Sequence, residues 1–124
     1  MEKKHILLVE DNKIAAKIAK QFLIILGCEV DDVDDGEKAI ALALANHYDG
    51  VCLDIGLPTI SGVEACKAIR TYEAQNHLKP VPIVALTGSC DPDEIALYLA
   101  AGIQEVLTKP FTKEKAERFV SLCN

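Results

Sequence analysis

Four short apolar runs in this chain each lead to a residue that can do chemistry. Glu10 and Asp11 follow the first, Asp54 ends a second, Thr87 ends a third and Lys109 follows a fourth. An aspartate, an acidic pair, a hydroxyl and a lysine are the parts of a metal-assisted phosphoryl site. Three carboxylates in one crevice raise one another's pKa unless a cation neutralises them. Mg2+ suits that task, since it prefers carboxylate oxygen and water, and a bound divalent ion can neutralise and orient a phosphoryl group. Asp54 could then act as a nucleophile and form an acyl phosphate. Lys109 would offer a point charge, Thr87 a hydroxyl, and Ile55 and Gly88 their backbone N–H groups. Gly88 is expected to leave room for the phosphoryl group.

These residues lie tens of positions apart, so a fold must gather them. Apolar runs alternate with longer amphipathic segments. Strands are predicted at 5–9, 28–33, 51–53, 82–86 and 104–107. Helices are predicted at 13–26, 37–46, 63–74, 93–101 and 113–123, with Gly27 and Gly102 as stops. The first helix is expected to turn Ile14, Ile18, Phe22 and Ile25 inward, the last Ala116, Phe119, Val120 and Cys123. Five βα units imply an α/β fold: a five-stranded parallel sheet, order 2-1-3-4-5, helices on both faces, flavodoxin-like. The strands read as continuous apolar runs, as a doubly covered sheet requires. In such a sheet all strand C-termini share one rim, and the candidate residues follow strands one, three, four and five.

The 124 residues favour one domain, spanning 1–124. A net charge of -6 argues against a nucleic-acid binder that relies on phosphate neutralisation. No apolar stretch approaches the roughly 20 residues of a membrane span, and the run after Met1 is too short for a signal-peptide core. Cys28, Cys52, Cys66, Cys90 and Cys123 are odd in number and lack a Cys-x-x-Cys pair, so they read as small apolar residues in a reducing cytoplasm. Asp31, Asp32, Asp34 and Asp35 read as a solvated loop, and His5, His47 and His77 as surface residues. Leu97, Tyr98 and Leu99 give the fourth helix a broad apolar face, read as core packing or as a docking surface.

The chain resembles a receiver (response-regulator) domain of two-component signalling over essentially its whole length. The segments that carry the likeness are Ile6-Leu7-Leu8-Val9-Glu10-Asp11-Asn12, Asp35-Gly36-Glu37-Lys38-Ala39-Ile40 and Leu53-Asp54-Ile55-Gly56-Leu57-Pro58. Ile83-Val84-Ala85-Leu86-Thr87, Ala101-Gly102 and Leu107-Thr108-Lys109-Pro110-Phe111 follow in order. The resemblance implies that Asp54 accepts phosphate from a phosphohistidine. It implies Mg2+ bound directly by Asp11 and Asp54, by Glu10 through water and by the carbonyl of Gly56. Thr87 would swing towards the phosphoryl group, and Lys109 would pair with it, held by a cis bond to Pro110.

The implied partners are a histidine kinase or a histidine phosphotransfer domain, and an output domain or partner on the face of helix four, strand five and helix five. The domain itself is expected to touch neither nucleic acid nor membrane. It is expected to be a signalling module that catalyses only its own phosphorylation and dephosphorylation. It would stand alone or belong to a hybrid sensor histidine kinase, which the stretches around Pro82 and Ala100 resemble. Three positions depart from the family pattern. Val106 stands where an aromatic switch residue is common, Gly56 replaces a frequent polar side chain, and Ser89 occupies the matching place after Thr87. Three competing readings are a degenerate receiver used only for protein contacts, a haloacid-dehalogenase-like phosphatase and a flavodoxin-like FMN protein. The phosphatase wants a second Asp where Gly56 stands, and FMN phosphate would be repelled by Glu10-Asp11.

Overall fold

The computed structural model describes residues 3–89 and 91–123. Five strands and five helices alternate: β1 (His5–Val9), α1 (Lys13–Ile25), β2 (Glu29–Val33), α2 (Gly36–Ala45), β3 (Gly50–Asp54), α3 (Gly62–Gln75), β4 (Ile83–Thr87), α4 (Pro92–Ala100), β5 (Glu105–Thr108) and α5 (Lys113–Leu122). The strands are parallel, in the order β2-β1-β3-β4-β5. The expected architecture is therefore present, with no boundary moved by more than one residue.

Strand period sorts the core into two layers. Leu7, Val9, Val51, Leu53, Ile83 and Ala85 face α2 and α3, where Ala39, Ala65, Cys66 and Ile69 meet them. Ile6, Leu8, Cys52, Val84 and Leu86 face α1 and α5, where Ala19, Leu23, Ala116 and Phe119 meet them. β3 and β4 are buried along their whole length, whereas the edge strands β2 and β5 are not. Each helix starts on a side chain that accepts a hydrogen bond from its first turn: Asn12, Asp35, Ser61, Asp91 and Thr112. Ser61 and Glu64 form a full capping box.

Several expectations are corrected. α1 buries Ala16, Ala19 and Leu23, while Ile14 and Ile25 are 74 % exposed and Ile18 is 48 % exposed. Of the expected stripe, Phe22 alone packs against the core layer, with its ring 6.4 Å from that of Phe111. Small residues let the helix lie close on the sheet, so the bulky side chains rotate outward. Asp31 and Asp32 belong to β2, as the strand predicted at 28–33 requires, and not to the loop that their acidic run suggested; Asp35 caps α2 and Asp34 pairs with Lys38 at 2.8 Å. His5 is not a free surface residue: it lies in β1 with its Nε2 2.9 Å from Asp31 Oδ2. Cys28, Cys52, Cys66 and Cys123 are buried free thiols, and burial pushes each thiol up, Cys123 to about 12. Cys90 lies outside the described residues.

Candidate functional site

The parallel register brings the predicted residues to one rim. Asp54 is the last residue of the central strand β3 and stands opposite Leu86 of β4. Glu10 follows β1 on one side, and Thr87 ends β4 on the other. Lys109 follows β5, its N–H donating to the Thr87 carbonyl at 2.8 Å, and its bond to Pro110 is cis, as expected. From there the Lys109 ammonium reaches Asp54 Oδ2 at 3.0 Å and Glu10 Oε1 at 3.8 Å. One oxygen from each of Glu10, Asp11 and Asp54 falls within a 4.8 Å cluster. Glu10, Asp54 and Thr87 are buried, Asp11 is exposed. The crevice, about 680 Å³, opens over Asp54 and Lys109 and runs to Ile18 and Phe111.

Burial alone would raise both inner carboxyls, and the surroundings split them. Glu10 is pushed up to about 8, by burial first and then by its hydrogen bond to Asp54 and the Asp54 charge. For Asp54, burial is outweighed by hydrogen bonds from Glu10, Lys109 and the Gly56 N–H, which hold it below the usual carboxylate range. Lys109 is raised: burial opposes its charge, but Asp54 and Glu10 more than offset that. Without a cation, these surroundings favour the proton on Glu10 and leave Asp54 ionised, both facing one ammonium.

The donor set fits a hard divalent cation. Glu10 Oε2 is buried with no hydrogen-bond partner among the described residues, so a carboxylate oxygen there needs further positive charge. Three converging acids against one lysine state the same need. Glu10, Asp11 and Asp54 could hold the ion through oxygen and water.

Two backbone assignments change. The Ile55 N–H donates to the Leu86 carbonyl at 3.1 Å, extending the sheet, so it is not free for a phosphoryl oxygen. The Gly56 N–H instead points at the acceptor carboxylate, donating to Asp54 Oδ1 at 3.1 Å. A Cβ at Gly88 would meet open space, so the clearance beside Thr87 does not depend on that residue being glycine. The glycine that the site does need is Gly62. A Cβ there would sit 2.7 Å from the Asp54 carbonyl oxygen, so only glycine lets α3 start this close to the acceptor strand. The helix predicted at 63–74 stops one residue short of Gly62; its place as the first residue after a Ser cap was the available signal.

The family model for the response regulator receiver domain matches residues 6–120. The chain belongs to the receiver domain family. Among curated relatives, this receiver is 37 % identical over 110 residues to the transcription factor SKN7 of Candida albicans, covering 89 % of the chain and 19 % of that protein. It is 31 % identical over 115 residues to the sensor histidine kinase GacS of Pseudomonas protegens, covering 93 % of the chain and 12 % of that protein. The receiver thus spans a fifth or less of these proteins' lengths. Among solved structures it resembles that of the Saccharomyces cerevisiae phosphotransfer protein Ypd1 with the receiver domain of Ssk1, at TM-score 0.91 and 30 % identity, covering 97 % of this chain and 88 % of that one.

Proposed function

We propose that this receiver accepts a phosphoryl group on Asp54 from a phosphohistidine and passes the change to a partner or an attached domain. The observation that carries the reading is the ionised Asp54 carboxylate, 3.0 Å from the Lys109 ammonium at the mouth of an acidic crevice. Asp54 Oδ attacks phosphorus, the P–N bond to the donor imidazole breaks, and the leaving nitrogen takes up a proton. Lys109 neutralises an incoming phosphoryl oxygen, and the Thr87 hydroxyl and the N–H groups of Gly56 and Gly88 supply further donors. Mg2+, held by Asp11, Asp54, the Gly56 carbonyl and, through water, Glu10, would neutralise charge on the phosphoryl oxygens. A solved receiver of the Pseudomonas aeruginosa sensor kinase PA1611, 32 % identical with TM-score 0.83, covering 97 % of this chain and 99 % of that one, carries magnesium in its active-site cleft. That supports the choice of ion.

The donor is a histidine phosphotransfer domain or a histidine kinase, and the Ypd1 complex supports the first. We place its docking on α1, where exposed Ile18 lines the crevice, Ile14 one turn earlier is exposed as well, and no core contact accounts for them. The output face is that of α4, β5 and α5, where Leu97 and Leu99 are exposed. Residues 1–124 form one receiver domain, a cytoplasmic signalling module whose only catalysis is its own phosphorylation and dephosphorylation. Among the described residues no helix is long and apolar enough to cross a membrane. Incubation with phosphoramidate and Mg2+ tests the reading by intact-protein mass. Wild type gains one phosphoryl group and Asp54→Asn gains none. Uptake by Asp54→Asn would overturn the site, and no uptake by wild type would favour a receiver used only for protein contacts.

A further inference from the structure

α5 opens against the local rule that α3 obeys. Both helices start on a hydroxyl cap, but the third helical position is Glu64 in α3 and Lys115 in α5. Glu64 completes a capping box, whereas a lysine there meets the positive end of the helix dipole. The Lys115 backbone N–H still donates to Thr112 Oγ1, at 3.2 Å. Its side chain turns back along the chain. The ammonium donates to the Thr108 carbonyl, to Thr108 Oγ1 at 3.2 Å and to the Pro110 carbonyl at 3.2 Å. Three N–H donors meet three oxygens, the full capacity of the group. Those oxygens belong to the residues on either side of Lys109. A residue that breaks a local rule and makes such a contact points to function before helix stability.

We propose that Lys115 is the positioning residue that holds Lys109 over Asp54. The proposal rests on the reading of Asp54 as phosphoacceptor and Lys109 as its cationic partner. The Lys109 N–H is tied inward to the Thr87 carbonyl at 2.8 Å. On the outer side β5 is the edge of the sheet, so no further strand steadies the residues that follow it. Lys115 supplies that second hold from α5. The Lys109 side chain is 38 % exposed, so its long stem is aimed mainly by where its backbone is fixed. The site acids pair with Lys109 and not with Lys115, so Lys115 acts through Lys109.

The experiment uses the whole chain with phosphoramidate and Mg2+, following phosphoryl uptake by intact mass and the fold by amide NMR. Lys115→Met takes up the group roughly 10-fold more slowly than wild type, the order expected for a small misplacement of one charged partner. Lys115→Arg, which keeps donors for the same carbonyls, stays within about 2-fold of wild type. Lys109→Met combined with Lys115→Met is no slower than Lys109→Met alone, because the second lysine then has nothing to position. A wild-type rate in Lys115→Met overturns the proposal, and so does a rate in Lys115→Arg as low as that of Lys115→Met. A further loss of about 10-fold in the double variant would show a contribution independent of Lys109 and overturn it as well. Loss of the folded amide spectrum in Lys115→Met would assign Lys115 to the fold as a whole, against the proposal. No uptake by wild type overturns the Asp54 reading, and the positioning role with it.

Discussion

The two ends of the sheet solve the same problem in opposite ways. At the strand N-termini, polar groups satisfy one another. Tyr48 donates to Asp31 Oδ2 at 2.8 Å, His5 Nε2 lies 2.9 Å from the same oxygen, and the His5 N–H donates to Asp49 Oδ2 at 2.8 Å. The His5 and Tyr48 rings stand 4.6 Å apart. At the strand C-termini, three acids share one lysine and Glu10 Oε2 has no partner among the described residues. The first network ties β1, β2 and the entry to β3 together. The second withholds stability until a cation or a phosphoryl group arrives. The difference separates scaffold from site more sharply than burial does, since both ends mix buried and exposed groups.

That contrast can be broken from either side. The largest effect is expected for Lys109→Met, which removes the lysine facing the acids. Phosphoryl uptake from phosphoramidate should slow by roughly 100-fold, the usual cost of losing one preorganised donor, measured by intact mass against time. Asp31→Ala at the other end should cost about 2 kcal/mol by urea unfolding, because Tyr48 and His5 both lose their acceptor. Its rate of phosphoryl uptake should match wild type. A joint loss would mean that the two ends are not separable.

Glu10→Gln sharpens the contrast through pH. Glu10 has its pKa raised from 4.5 to about 8, so between these values the folded chain holds a proton that the unfolded chain has released. That stabilisation is present at low pH and is lost as pH rises towards 8. In metal-free buffer, Glu10→Gln should equal wild type near pH 5 and exceed it by about 1–2 kcal/mol above pH 8, after allowance for screening. A flat difference across that range would refute the assignment. The smallest effect is expected for Ile25→Ser, at the 74 % exposed end of α1. Stability should change by no more than about 0.5 kcal/mol; a loss of several kcal/mol would restore the inward stripe that the sequence suggested.

The rim was legible because topology alone places it. Once five βα units are read, the residues after strands one, three, four and five must converge, whatever the side chains do locally. Membership in the site did not require knowing a single contact. What stayed illegible depends on offsets finer than a repeat. α1 carries two apolar rows, one of isoleucines and one running Ala16, Ala19 and Leu23, and residue size favoured the wrong one. The Ile55 amide went to the sheet because β3 pairs one residue further than its apolar run. Asp31 and Asp32 fell inside the strand predicted at 28–33, yet their acidic run also read as loop, because edge strands need not be apolar on both faces.

The acidic edge has a consequence of its own. An exposed outer strand offers unpaired backbone groups to any other chain, and flat apolar edges invite stacking into fibrils. β2 meets solvent with Glu29, Asp31 and Asp32 in a five-residue strand. β5, the opposite edge, is four residues long, and Arg118 reaches across to Glu105 with hydrogen bonds of 2.6 and 2.8 Å. Charge of one sign along one border, and a short, salt-bridged strand at the other, keep copies of this sheet from continuing one another. Asp31 thus serves twice, as the acceptor for Tyr48 and His5 and as one of the charges that guard this edge against aggregation.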